Sequence, residues 1–210
     1  IKAEDEKIPV KDIVAYVYDT FKDNIPQDFV KREGILFVGG FAHPPNADAV
    51  LWFVREVYPL ICQRAKNMGQ EIPNFYVVGS KVTEEIQELE QPGNGVIIKG
   101  FVSEEELVRL YDTTRVVVVP LRYGAGVKGK VVEALYHGSA IVTTSIGAEG
   151  ISEAETVMMI RDGALEFAEA VFALYEEPNV CMDLSRRTQR YIKERYSVKA
   201  AWSVIEEDFS

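Results

Sequence analysis

Cysteine is scarce in this chain. Cys62 and Cys181 lie far apart and form no CxxC pair. The pattern fits two reduced, packed thiols in a cytosolic protein rather than a disulfide scaffold. Positive charge is in deficit: 23 Lys+Arg against 33 Asp+Glu give a formal charge of −10. Such a surface repels phosphate backbones and anionic membranes, so general nucleic-acid binding is disfavoured. No apolar run approaches the roughly 18 residues of a membrane-spanning helix. The first ten residues, IKAEDEKIPV, are charged and lack the apolar core of a signal peptide. Internal repeats and low-complexity linkers are also missing. What is present is ordinary: 210 residues, 47% hydrophobic and 27% charged, enough for one large domain or two small ones with a real core.

Short apolar runs recur at Ile35–Val38, Phe75–Val78, Val96–Ile98, Val116–Val119, Ala140–Thr143 and Val157–Ile160, with a similar segment, Ile13–Tyr18, before them. Most are continuously apolar, as strands buried on both faces of a parallel sheet are. Helix signals lie between them. Asn46, after Pro44 and Pro45, is expected to cap a helix carrying Val50, Val54, Val57 and Ile61 on one face. Pro59 predicts a kink or early end in it. Val82–Leu89 reads as helical, and Ser103 with Glu106 forms a capping box for Glu104–Asp112. Val127–His137 is a helix stopped by Gly138. Leu165–Tyr175, Asp183–Arg195 and Val198–Asp208 complete the series. Strand and helix alternate about five times, which predicts an α/β fold: one doubly wound, Rossmann-like parallel sheet with right-handed crossovers. Ligands bind beyond the carboxyl ends of such strands, so the residues after each run matter most.

The first run ends in Gly39–Gly40, which let backbone approach a ligand closely or merely make a tight turn. His43 follows; a lone loop histidine is more often a solvated side chain than a ligand. The second and third runs end in Gly79 and in Gly100–Phe101–Val102, an ordinary turn chemistry. The fourth run leads into Arg122, Gly124, Gly126, Lys128, Gly129 and Lys130. Three glycines and three cations meet at a helix N-terminus with its unpaired amides, the makings of a phosphate cradle. Glu133, one turn further, can share the face of Gly129 and Lys130 and accept hydrogen bonds from a ribose or sugar diol, or pair with Lys130. The fifth run ends in a turn, Gly147–Gly150, from which Glu149 can face the same cleft.

Two known patterns match the loop formally. Gly124, Gly126 and Gly129 fit G-x-G-x-x-G, but the next strand ends Thr143–Thr144–Ser145 with no acid for a ribose. Gly124 to Lys130 fits G-x-x-x-x-G-K, but Val131 stands where a magnesium-holding Ser or Thr belongs. A diphosphate grip without metal survives both tests.

Three stretches carry a family resemblance: FVGGFAHPPNADAVLWF (37–53), GFVSEEELVRLYDTTRVVVVPLRYGAGVKGKVVEALYHGSAIVTTSIGAEGI (100–151) and RYIKERYSVKAAW (190–202). They resemble the C-terminal domain of group-1 glycosyltransferases of GT-B architecture, over roughly Ile35 to Trp202. The resemblance implies the donor half of a two-domain enzyme that moves a sugar from a nucleotide-diphosphate sugar to a saccharide or lipid-linked acceptor. It implies a cytoplasmic protein, lying at the inner face of a membrane if the other domain carries it there. Residues 1–33 would be a leading strand and interdomain connection, and 34–210 the nucleotide-sugar domain. The partners it implies are the donor, the acceptor and an N-terminal domain of the same parent chain, with no nucleic acid. The donor is the substrate; no further cofactor and no metal are expected, and the domain alone is expected to be inactive.

Residue by residue, Glu133 matches the second acid of the family's E-x7-E motif, expected at the ribose, and Gly126 the glycine after the first acid. Lys128, Lys130 and Arg122 are the candidates for the diphosphate, with Arg122 and Lys128 the candidate catalytic cations. Gly39 and Gly40 match the tip near the phosphates. Phe101 and Val102 match the loop that meets the base, with Leu107 packed nearby. Two departures stand out. Ala125 replaces the first acid, which in the family contacts the donor sugar. The usual Arg and Lys after the first strand are replaced by Gly40 and Asn46. A nucleotide-sugar epimerase half and a non-catalytic nucleotide-binding or assembly module remain the alternatives.

Overall fold

The computed structural model describes residues 13–21 and 28–206. Six of the apolar runs are strands: β1 (Ile35–Val38), β2 (Phe75–Val78), β3 (Val96–Gly100), β4 (Val116–Val119), β5 (Ala140–Thr143) and β6 (Met159–Ile160). They form one parallel sheet in the order β3-β2-β1-β4-β5-β6. The third strand runs two residues beyond its apolar core and the sixth is two residues shorter than expected. β4 is all valine and all buried. Branched side chains suit the pleat, and each contributes on the order of 2 kcal/mol by leaving water on both faces of the sheet.

Helices cover the two faces. α1 (Pro44–Trp52) begins with two prolines, which suit the first turn because the missing N–H is unpaired there anyway. Its cap residue is His43, without a side-chain bond. The expectation of Asn46 as cap is therefore corrected: it lies inside the helix, buried, with its side chain committed elsewhere. Pro59 does not end the helix. A π-helical turn, Phe53–Val57, absorbs the lost hydrogen bond, and α2 (Tyr58–Asn67) continues. α3 is a single turn, Glu84–Gln87, shorter than its apolar pattern predicted. In α4 (Glu104–Thr113) the Ser103 hydroxyl accepts from the Glu106 amide at 3.2 Å, while the Glu106 carboxylate turns to Arg109 instead of closing the box. α5 (Gly129–Tyr136), α6 (Ala164–Glu176), α7 (Pro178–Arg195) and α8 (Val198–Ile205) follow. Among the described residues no helix is long and apolar enough to cross a membrane.

The core is one cluster, with an aromatic knot of Phe53, Tyr58, Phe75 and Phe167 locking α2 and α6 onto the sheet. Phe29 is fully buried in that cluster, and Arg32 lies 4.0 Å above its ring. Both cysteines are free; Cys181 is buried and its thiol donates to the Leu174 carbonyl.

Ile13–Tyr18 is not a strand of the sheet. It is an extended strap whose single bridge joins Tyr18 to Ser197. The Tyr18 amide donates to the Tyr196 carbonyl at 2.8 Å, and the Val198 amide donates to the Tyr18 carbonyl. The Tyr18 ring stacks on Tyr136 of α5, 4.1 Å between centroids. The segment is thus held at Tyr18 by one backbone bridge and one stacked ring, while Ile13 and Val17 stay exposed.

The tips of β1 and β2 approach unusually closely. A Cβ on Gly79 would sit 2.0 Å from the Gly39 carbonyl oxygen, which no rotamer relieves because the obstacle is backbone. Gly79→Ala should cost about 3 kcal/mol in chemical unfolding, the upper end of overpacking. Gly69→Ala, in open space but at positive φ, should cost only about 1 kcal/mol. Equal losses would show that the tip contact carries no special constraint.

Candidate functional site

The sheet order reverses between β1 and β4. Crossovers leave these neighbours in opposite directions, so a crevice opens beyond their carboxyl ends. Gly39 and Gly40 line it from β1, and the Arg122–Lys130 loop from β4. The sequence-predicted glycine loop therefore stands where ligands bind in such sheets. Gly124 (φ 127°) and Gly126 (φ 75°) occupy backbone conformations that other residues avoid. At Gly126 a Cβ would meet nothing within 4 Å, so conformation alone, not crowding, calls for glycine.

Lys130 turns toward the tip of β1. From the first turn of α5 its ammonium donates to the Asn46 carboxamide oxygen and lies 5.0 Å from the Phe37 ring centroid, within cation–π range. A Cβ on Gly39 would stand 2.7 Å from that ammonium, so glycine there makes room for the lysine head. Burial, reinforced by neighbouring Lys128, pushes the Lys130 ammonium down to about 8 from the ordinary 10.5. Asn46 in turn donates its NH2 to the Gly40 carbonyl at 2.7 Å.

The other two cations are met by carboxylates. Lys128 is the cap residue of α5, and its side chain is only 10% exposed. It donates to the Gly126 carbonyl and lies 3.0 Å from Glu149. Arg122 forks onto Asp48 of α1, with Nε 2.9 Å from one oxygen and Nη2 bonded to the other. The loop is thus not nearly free of acid, as its local sequence suggested. Asp48 and Glu149 reach it from other elements. Glu149, which the sequence left between a place in the cleft and a plain turn, is the partner of Lys128.

Glu133 lies in the second turn of α5, half-buried. Burial pushes its carboxyl up, and the Tyr111 phenol beside it acts the other way. That phenol makes no hydrogen bond of ordinary geometry. Tyr18 feels the same carboxylate; burial first, then Glu133, raise its phenol to about 12. Glu133 and Lys130 form no ion pair among the described residues, since Lys130 turns to Asn46. The strap also touches the mouth of α5: the Tyr16 hydroxyl stands 2.7 Å from where a Gly129 Cβ would be.

Phe101 is 82% exposed just past β3, while Val102 and Leu107 are half-buried. β3 lies three strand spacings from β4, about 14 Å. Phe101 therefore occupies a shoulder of the crevice rather than its centre, and the candidates form a row rather than a cluster. Sequence reasoning missed three members: Asn46, read as a helix cap; Asp48; and Tyr16. Only Asn46 carried a signal, a polar residue set between two prolines and a buried apolar face.

A family model described as glycosyl transferases group 1 matches residues 32–177. A curated relative, an uncharacterized 44.6 kDa protein in the cps region of Klebsiella pneumoniae, is 27% identical over 175 residues, covering 81% of this chain and 44% of that protein. Among solved structures, a mutant of S. aureus TarM in complex with Fondaparinux, alpha-GlcNAc-glycerol and UDP superposes with a TM-score of 0.70 at 16% identity, covering 94% of this chain and 39% of that one. Anabaena HepE in complex with UDP gives 0.61 at 16% identity, covering 86% and 49%. The chain spans less than half the length of each of these three proteins.

Lys130 has a thermodynamic signature. Between about pH 8 and 10.5 the unfolded chain holds a proton that the native ammonium has released, so this group makes stability rise with pH there. Below pH 8 the fold carries the full cost of the buried charge. Lys130→Met should therefore be more stable than wild type at pH 7, by about 1–3 kcal/mol. The difference should shrink toward pH 10, where tyrosine titration affects both proteins alike. Urea unfolding at both pH values checks this; a variant less stable throughout contradicts it.

Proposed function

The chain belongs to the group 1 glycosyl transferases, and from that premise we propose that it is the donor-binding half of an enzyme that moves a sugar from a nucleotide-diphosphate sugar to a saccharide or lipid-linked acceptor. The observation that carries this is the meeting of Lys130 and the α5 N-terminus with the Gly39–Gly40 tip in the crevice between β1 and β4, with Lys128 as the cap residue of the same helix. UDP in the complexes of TarM and HepE supports the ligand class. The cps-region relative supports a polysaccharide setting.

In this reading the donor's diphosphate lies over Gly39 and the α5 amides. Transfer breaks the bond between the sugar's anomeric carbon and the diphosphate oxygen, and the electron pair leaves with the diphosphate. The acceptor oxygen bonds to the same carbon, and its proton passes to the departing diphosphate or to solvent. Charge therefore grows on the departing diphosphate, and Lys128, Lys130 and the helix amides stabilise it as it forms. Arg122, already forked onto Asp48, frames the loop and contributes its charge at longer range. Glu133 accepts from the ribose hydroxyls once Tyr16 and Tyr18 make room, and its raised carboxyl ionises more readily when those hydroxyls donate to it. Phe101, Val102 and Leu107 meet the base from the β3 shoulder.

The acceptor side belongs to a second domain of the parent chain, in a GT-B arrangement, with this chain inactive without it. A lipid-linked acceptor would hold that parent at the inner face of a membrane through the other domain. Ala125, in place of an acid at the donor sugar, favours one second reading: a module that binds the nucleotide without transferring it.

Calorimetric titration of UDP and GDP into the 210-residue chain tests the reading. One of the two should bind, and Lys128→Ala should weaken it about tenfold to a hundredfold, the worth of a charge-assisted contact. Glu133→Ala should weaken the diphosphate and the corresponding monophosphate equally. No binding at millimolar ligand, with Lys128→Ala indistinguishable from wild type, ends the donor reading. Binding without donor hydrolysis or transfer by the intact parent favours the non-catalytic module.

A further inference from the structure

Asn46 is the only side-chain amide among the described buried residues. Burying a carboxamide is costly unless both ends are paired. Here neither end serves the helix that carries it. The NH2 donates to the Gly40 carbonyl at 2.7 Å, which orients the group and leaves its oxygen facing the Lys130 ammonium. The opposite orientation would set NH2 against NH3+ and oxygen against oxygen. The Gly39 tip is shaped around this pair: a Cβ there would be 3.0 Å from the Asn46 carboxamide and 2.7 Å from the ammonium.

The choice of a neutral acceptor has a chemical meaning. Arg122 and Lys128 are each met by a carboxylate. Lys130 is met by an amide oxygen and an aromatic face, and no carboxylate pairs with it among the described residues. An amide holds an ammonium in place without cancelling its charge. We infer that Asn46 is a positioning residue, which holds the Lys130 ammonium over the Gly39–Gly40 tip with its charge uncancelled, ready for the donor's diphosphate. The inference rests on the donor reading above and assigns Asn46 a part in it.

The charged and titratable groups around Lys130 are few. Lys128 at the cap of α5 repels its charge, and His43 at the start of α1 is exposed and separated from Asn46 by two prolines. Asn46 and Phe37 face it without titrating. Burial and Lys128 hold the Lys130 ammonium down to about 8. A diphosphate arriving above that pH therefore draws a proton back onto it.

Two measurements on the 210-residue chain test this, one needing no ligand. The first follows the Lys130 side-chain carbon resonance by NMR across the alkaline range, assigned with Lys130→Arg. In wild type the midpoint should lie near 8. Asn46→Leu should lower it, and the near-isosteric Asn46→Asp should raise it by a unit or more. The second titrates UDP and GDP at pH 7 and pH 9. For the nucleotide that binds, wild-type affinity should fall about tenfold over that range. Asn46→Leu should bind at least tenfold more weakly at pH 7. Asn46→Asp should bind weakly with little pH dependence, and Asn46→Ser should recover part of the loss. Unchanged Lys130 midpoints and unchanged affinities in the Asn46 variants overturn the inference while leaving donor binding intact. Wild type that binds neither nucleotide overturns the donor reading and this one together.

Discussion

Because the connections from β1 and β4 leave the sheet in opposite directions, no helix closes over the carboxyl ends of that central pair. Everything chemical in the chain is arranged around the opening this creates. Gly39 and Gly79 let two backbones touch at its edge. The Gly124–Gly126 turn drops the chain from β4 into α5, with the helix amides aimed inward. Asn46, one turn into α1, reaches across to a lysine 84 residues later. The reversal sends α1 and α5 to opposite faces of the sheet, so that only their N-terminal ends come together, over the strand tips.

Much of this was legible in the residues. Continuous apolar runs such as Val116–Val119 announce strands buried on both faces, and all six became strands of one parallel sheet. The glycine–lysine loop was legible because several unusual residues crowd into a few positions. Legibility failed where a distant partner overrode a local preference. Asn46 has strong capping tendency, yet a lysine from another element claims its side chain. Pro59 should break a helix, but a π turn ahead of it lets the helix continue. Ile13–Tyr18 has the composition of a strand and behaves as a strap, since Tyr18 is bridged to Ser197 and stacked on Tyr136 instead of joining the sheet. Asp48 at the loop was invisible for the same reason: it lies 74 residues from Arg122, and no local window contains both.

The site is costly to the fold. A lysine ammonium and a glutamate carboxyl are both held where burial disfavours their charge. A core built for stability alone would place apolar side chains there. Active sites concentrate such tensions because a group that solvent has already released is ready to meet a ligand. The aromatic knot around Phe53 and the buried valines of β4 supply the stability that offsets it.

The acids at the loop also change how an anion enters. Glu149 and Asp48 already occupy two of its three cations, so the resting cradle is largely neutralised by the protein itself. In the proposed reading an anion reaches Lys128 only by displacing Glu149, while Lys130 offers it the one charge at the loop that no carboxylate of the described residues has already met. In a molecule carrying a net charge of −10, the loop therefore holds its cations in reserve rather than presenting a bare positive patch.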